Sequence, residues 1–185
     1  MAKVQNNMFV RGLSGSLGDQ FVVRKGKAGS TIISAKASYD SSREFNASQV
    51  AHQNAFREAI AYAKSAKTEE IYIYKAEGTA KNAYNVAVQD WFSQPEILEF
   101  DISSWNGQIG QPIRVKVQEE IFVAQVSVMI KDGVGAILEQ GQATREDGLW
   151  WMYTTTTVIS DPLTNSIVAT AQDLPGNHAE MTWNN

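Results

Sequence analysis

The sequence contains no cysteine, two histidines and four prolines in 185 residues. Without a thiol, a disulfide framework, a thiolate nucleophile and a Cys-ligated zinc or iron–sulfur centre are all excluded. Neither His52 nor His178 stands in a motif that supplies a nucleophile and a third group to orient the base. His52 reads as a helix-surface residue and His178 as a strand residue beside a turn. No catalytic residue, cofactor motif or metal set is assigned, and a non-enzymatic protein is expected.

Long apolar runs are also missing. No segment approaches the ~18 apolar residues of a membrane span, so no membrane insertion is expected. The opening MAKVQNNMFV holds no apolar stretch that could form the core of a secretory signal. Synthesis in the cytoplasm without a cleaved signal is the expectation, with the cell exterior or a virion reached only by a signal-independent route.

What is present suits a folded protein. Hydrophobic residues make up 43% and charged residues 19% of the chain, well away from the disordered regime. The net charge of −4 is unevenly spread. Residues 1–45 hold seven Lys/Arg against three acids, giving +4 there and −8 in the remainder. A basic arm on an acidic body steers towards nucleic acid or towards the body of another copy, or is simply a solvated strand surface. The second is preferred, and nucleic acid ranks below it.

The first segment reads as β-structure punctuated by glycine. Phe9-Val10 and Phe21-Val22-Val23 flank Gly12, Gly15 and Gly18, and Thr31-Ile32-Ile33 follows a Gly26–Gly29 turn. Two or three short strands with open edges are expected, and so small a ribbon must pack on something else. Helices follow. Asn46 with Gln49 forms a capping-box pattern, and Phe56, Ala59, Ile60 and Ala63 fall on one face of a helix from about 47 to 66. Thr68 beside Glu69 and Glu70 resembles a cap for a second helix, although Ile71 to Tyr74 also suits a strand. Ala83, Val86, Ala87 and Trp91 restore helical spacing until Pro95.

Beyond Pro95 the period changes to two. Ile113, Val115 and Val117 alternate with polar residues, as do Val126, Val128 and Ile130, and Leu149, Trp151 and Tyr153. With 97–102, 136–140, 166–171 and 179–183, about seven strands result, the pattern of an antiparallel β-sandwich. The fold class is therefore α+β, with an arm and helices over 1–94 and a sandwich over 95–185.

The stretches IRVKVQEEIFVAQVSVMIKDGVG, GLWWMYTTTT and SIVATAQDLPGNHAEMTW carry a family resemblance. This half resembles the immunoglobulin-like modules of bacterial surface and phage-associated proteins, whose last two strands are joined by an Asp-x-x-Gly-Asn type turn. Here the turn is Asp173 to Asn177, with Pro175 as an inserted residue. The resemblance implies the fold alone, since such modules serve adhesion, spacing and decoration alike. The opening GLSGSLGDQFVVRKGKAG, with Gln53 to Arg57, is similar to uncharacterised bacterial proteins with a Gly-spaced hairpin before a Gln-rich helix. That likeness implies one arm-and-helix unit and no activity.

Other patterns carry less chemistry. Gly26 to Thr31 lacks the order of a phosphate loop and leads into Ile32-Ile33 rather than a helix, so a turn between strands is expected. The acidic residues Glu119, Glu120, Asp132, Glu146, Asp147, Asp161 and Asp173 have no EF-hand spacing and read as solvated charge. Alternation sends Trp151 and Tyr153 to one face and Trp150 to the other, which makes Trp150 a candidate binding surface for carbohydrate or a surface protein. The leading expectation is a structural subunit that forms filaments or another homo-oligomer, with Phe9, Arg11, Phe21, Val23, Arg24, Lys25 and Ile32 at the contact between copies. A non-catalytic binding or adhesion module is the alternative.

Overall fold

Glycine turns and β-branched runs give the first 49 residues a sheet, and alanine-rich helices and alternating strands make up the rest. The computed structural model describes residues 2–4, 12–26, 30–38 and 44–184. Among them the chain is α+β, with three helices and three antiparallel sheets. It divides into two compact units, Met1–Gln49 and Val50–Asn185. The dividing point falls within the first turn of the first helix, whereas the sequence placed a boundary near Gln94.

In the first unit, β1 (Ala2–Val4), β2 (Gly15–Leu17), β3 (Phe21–Lys25) and β4 (Thr31–Ala35) form a sheet in the order β1-β4-β3-β2. Two or three strands were expected, and the short β1 adds the fourth. Gly18 enables the β2–β3 turn with a φ of 60°, a conformation that costs a glycine little. That turn is tied by an ion pair of 3.1 Å between Lys36 Nζ and Asp19 Oδ1.

In the second unit, α1 (Ala47–Ala66), α2 (Glu70–Ala76) and α3 (Ala83–Phe92) precede eight strands. The α1 start is the capping box the sequence predicts. Asn46 Oδ1 accepts from the Gln49 amide at 2.8 Å, and Gln49 Oε1 accepts from the Asn46 amide at 3.1 Å. α2 is a helix rather than a strand, but its N-cap is Glu69 and makes no side-chain cap bond, so Thr68 does not have the expected role. Ala59, Ala63 and Ala66 are the buried residues of α1, while Phe56 on the expected apolar face is 47% exposed. Ala63, Ala66, Tyr72, Val86, Ala87 and Ile121 share one core, so Ile121, which follows the first strands of this half, packs with the helices.

The remaining strands are β5 (Glu96–Asp101), β6 (Pro112–Gln118), β7 (Val123–Lys131), β8 (Ile137–Gln142), β9 (Thr144–Arg145), β10 (Trp150–Thr154), β11 (Ser166–Asp173) and β12 (His178–Asn184). They make two four-stranded sheets, β5-β6-β10-β9 and β12-β11-β7-β8. Ile113, Val115, Val117 and Trp151 from the first share a core with Val126, Val128, Ile130, Ile167 and Ala169 from the second. The two-residue β9 accounts for the difference from the seven strands expected. Among the described residues no helix is long and apolar enough to cross a membrane.

Candidate functional site

Residues directly opposite one another in an antiparallel pair share a face, and the register therefore sorts the side chains of the first unit. Leu17 pairs with Phe21, Phe21 with Ala35, Val23 with Ile33 and Lys25 with Thr31, which puts these residues on one face. Val22, Arg24, Ile32 and Ser34 lie on the other. Within the first face Val23 is buried, whereas Leu17 is 60% and Phe21 44% exposed. An exposed apolar pair therefore sits where β2 forms the edge of the sheet.

The expected contact residues do not make one patch. Phe21, Val23 and Lys25 share a face with Leu17, while Arg24 and the half-buried Ile32 face the other way, directly opposite each other. Arg24 and Lys25 thus present their charge to opposite sides, as neighbours on a strand must. β3 and β4 are also interior strands, paired on both sides over Phe21–Val23 and Thr31–Ile33. Among the described residues the open edges of this sheet are β1 and β2. Phe9 and Arg11 lie outside the described residues, as do residues 27–29 of the Gly26–Gly29 turn. That turn joins β3 to β4, with the Gly26 amide donating to Ser30 O at 2.6 Å.

Trp150 faces away from the core that holds Trp151 and Tyr153, in agreement with the alternation. Its ring is not bare. Lys116 Nζ lies 5.5 Å from the ring centroid, a cation–π arrangement, and the adjoining cleft contains the Arg114–Glu146 ion pair at 3.1 Å. His52 is exposed, with its ring 6.1 Å from that of Phe92, and His178 is exposed at the start of β12.

Sequence reasoning missed the buried polar groups. Tyr72 donates to Asp90 Oδ2 at 2.5 Å, and its oxygen lies 2.6 Å from that of Tyr62. Asp90 is fully buried, and its Oδ1 has no hydrogen-bond partner among the described residues. Burial pushes the Asp90 carboxyl up to about 6; the Tyr72 bond opposes this, and the charges of Asp173 and Glu119 reinforce it. Burial also raises Glu119 and Asp173, although both accept backbone hydrogen bonds that oppose the shift. Glu119 is thus not the solvated charge expected: it lies beyond the end of β6, half-buried, with Oε2 lacking a hydrogen-bond partner among the described residues.

Asp173 is buried at the turn singled out from the sequence. Its Oδ1 accepts from the Gly176 and Asn177 amides at 2.9 and 2.6 Å. Asn177 Nδ2 donates to Asp173 Oδ2, and also to the carbonyls of Trp91 and Ser93 at 3.2 and 2.8 Å, which ties the last turn to the end of α3. A third buried carboxylate, Glu139, accepts from the Tyr153 hydroxyl at 2.7 Å and the Thr156 hydroxyl at 2.8 Å, and from the Thr156 and Thr157 amides. Burial alone would raise Glu139, but these donors together hold it below the usual carboxylate range. Among the described residues no three acidic or histidine side chains converge to hold a metal ion.

No family model and no curated protein matches the chain. The solved structures with a partial likeness include the following three. An engineered protein is 20% identical at a TM-score of 0.35, covering 50% of this chain, which spans 19% of that protein. CopC from Methylosinus trichosporium OB3b is 12% identical at 0.35, covering 49% of this chain and 88% of its own. A conjugative transposon lipoprotein from Bacteroides eggerthii DSM 20697 is 12% identical at 0.23, covering 50% of this chain and 97% of its own. At these TM-scores the likenesses decide neither fold nor function.

Proposed function

We propose that the chain is a non-enzymatic structural subunit that assembles with copies of itself through its N-terminal sheet. In this reading the two facing sheets of the second half are an immunoglobulin-like sandwich. The observation that carries the assembly reading is the exposed pair Leu17 and Phe21, held opposite one another beside the open β2 edge. An unpaired edge offers backbone donors and acceptors to another strand, and the adjacent apolar pair supplies burial at about 25 cal/mol per Å². The acidic remainder, at −8 against +4 for residues 1–45, makes a second copy the complementary partner. Such a contact is heterologous and propagates into rings or filaments.

The test is light scattering and electron microscopy of the full-length protein beside its variants. Leu17→Ser with Phe21→Ser should give a folded particle of lower mass. Lys25→Glu, on the same face as that pair, should weaken assembly more than Arg24→Glu, and more at low salt than at high salt. A full-length protein that stays monomeric at high concentration overturns the proposal.

A further inference from the structure

We infer that β12, at the edge of the β12-β11-β7-β8 sheet, pairs antiparallel with β12 of a second copy about a two-fold axis at Met181. This contact belongs to the second unit and does not depend on the N-terminal one.

The edges of the second unit are not alike. Among the described residues its two sheets end in β5, β8, β9 and β12. Natural sheets guard their edges with charge, proline, bulges or shortness, because an unguarded edge recruits another strand. β5 is interrupted by a bulge between Ile97 and Glu99 and carries Glu96, Glu99 and Asp101. β8 has a register shift against β7, and only Ala143 separates it from the two-residue β9, so the chain crosses there from one sheet to the other. β12 has none of these devices. It keeps unbroken register with β11 over residues 178–184, with neither proline nor lysine and with Glu180 as its sole carboxylate.

The inward row of β12 is also uncovered. Ala179, Met181 and Trp183 pair with the fully buried Ala171, Ala169 and Ile167, which places them on the core side of the sheet. Yet Met181 is 37% exposed and Trp183 only half-buried. The apolar layer between the sheets therefore runs on to an open edge, where one more strand extends it.

The sequence of β12 selects its own copy as that strand. Met181 is the central residue, and a copy centred there pairs every residue of both strands. Ala179 then meets the partner's Trp183, small against large on the core side, and Glu180 meets the partner's Thr182. A Glu–Thr pair is one that β12 already makes with β11, where Thr170 Oγ1 donates to Glu180 Oε1 at 3.4 Å. Centring on Glu180 instead sets two carboxylates face to face. The three-residue β1 and β2 would leave more than half of β12 unpaired. The two-fold contact is isologous and closes as a dimer.

The experiment starts from the Leu17→Ser, Phe21→Ser protein, which lacks the N-terminal contact, so the two contacts fail separately. Light scattering should find two chains per particle. Met181→Lys sets two ammonium groups face to face and should weaken that dimer about tenfold. Thr182→Glu should weaken it as well, whereas Thr182→Lys, opposite Glu180, should tighten it. Both positions are exposed, so the variants keep the fold of the single chain. The native chain has no cysteine, and Met181→Cys should therefore give a disulfide-linked dimer under mild oxidation. Glu180→Cys should not, since its two copies lie roughly 8 Å apart in this register. A monomeric Leu17→Ser, Phe21→Ser protein overturns the inference, as does a dimer indifferent to Met181→Lys. Cross-linking through Glu180→Cys rather than Met181→Cys, or equal effects of Thr182→Glu and Thr182→Lys, also overturns it.

Discussion

Tyr72 and Asp90 are both wholly buried and joined by one hydrogen bond of 2.5 Å, from the tyrosine hydroxyl to a carboxylate whose other oxygen has no hydrogen-bond partner among the described residues. A neutral carboxyl suits that position better than a charged one, because burial penalises only the charged form. The helical core of the second unit therefore contains a group that takes up a proton more readily folded than unfolded.

The sign of the pH dependence follows. The Asp90 carboxyl is raised from 3.8 to about 6, so its neutral form favours the folded state at low pH, and that contribution is lost as pH rises through 6. Asp173 and Glu119, also raised, act in the same direction, while Glu139, lowered, opposes them at the acid end. Stability should rise between neutrality and pH about 5, and Asp90→Asn should flatten most of that rise. Chemical denaturation across this range decides it, and an unchanged slope in Asp90→Asn would remove Asp90 as the cause.

Tyr72→Phe leaves both Asp90 oxygens without a partner. At pH 7 it should cost about 1–3 kcal/mol, and less at pH 5, where the carboxyl is neutral. Tyr62→Phe should cost less, because Tyr62 is only half-buried. Equal losses at both pH values would indicate a packing effect.

Gly107 lies with φ at 89°, and a methyl group added there would meet the Ile159 carbonyl oxygen, whose neighbouring amide donates to Gly107 O at 2.8 Å. Gly107→Ala should destabilise by about 1–3 kcal/mol or more, through both the backbone conformation and the clash. Gly148→Ala, at φ 63° with open space around it, supplies the comparison, since it suffers only the conformational part. Equal melting temperatures for the two variants would contradict the steric contribution.

The core of the two facing sheets is separate from that of the helices, but Ile121 and Phe122 belong to the helical one. A fragment from Pro95 to Asn185 should fold, with dispersed amide resonances, while exposing those two side chains. Ile121→Ser should then improve its solubility. Collapsed dispersion would mean that the sheets need the helices to fold.

Local features were legible in the sequence because neighbouring residues determine them. The Asn46–Gln49 capping box, the outward Trp150 beside the inward Trp151, and the Asp173 turn all rest on spacings of a few residues. The Tyr72–Asp90 pair was not legible, since its partners lie 18 residues apart on different helices and each alone looks like an ordinary polar residue. For the same reason the sequence missed Glu139, which collects donors from Tyr153, Thr156 and Thr157. The order β1-β4-β3-β2 was hidden too, which is why Arg24 and Ile32 were expected at the contact between copies although they sit on interior strands.

Asn177 meets the carbonyls of Trp91 and Ser93 across 86 and 84 residues of chain. During synthesis, the end of α3 therefore leaves the ribosome long before its partner exists. Loop closure over such a span places this contact late in folding, after the local helices and hairpins have formed. A contact absent from the transition state governs how fast the native state opens, not how fast it is reached. Asn177→Ala should accordingly speed unfolding, by an amount matching a loss of about 1–3 kcal/mol, and leave refolding nearly unchanged. Stopped-flow chevrons followed by tryptophan fluorescence measure both limbs, and a comparable slowing of refolding would place the contact early instead.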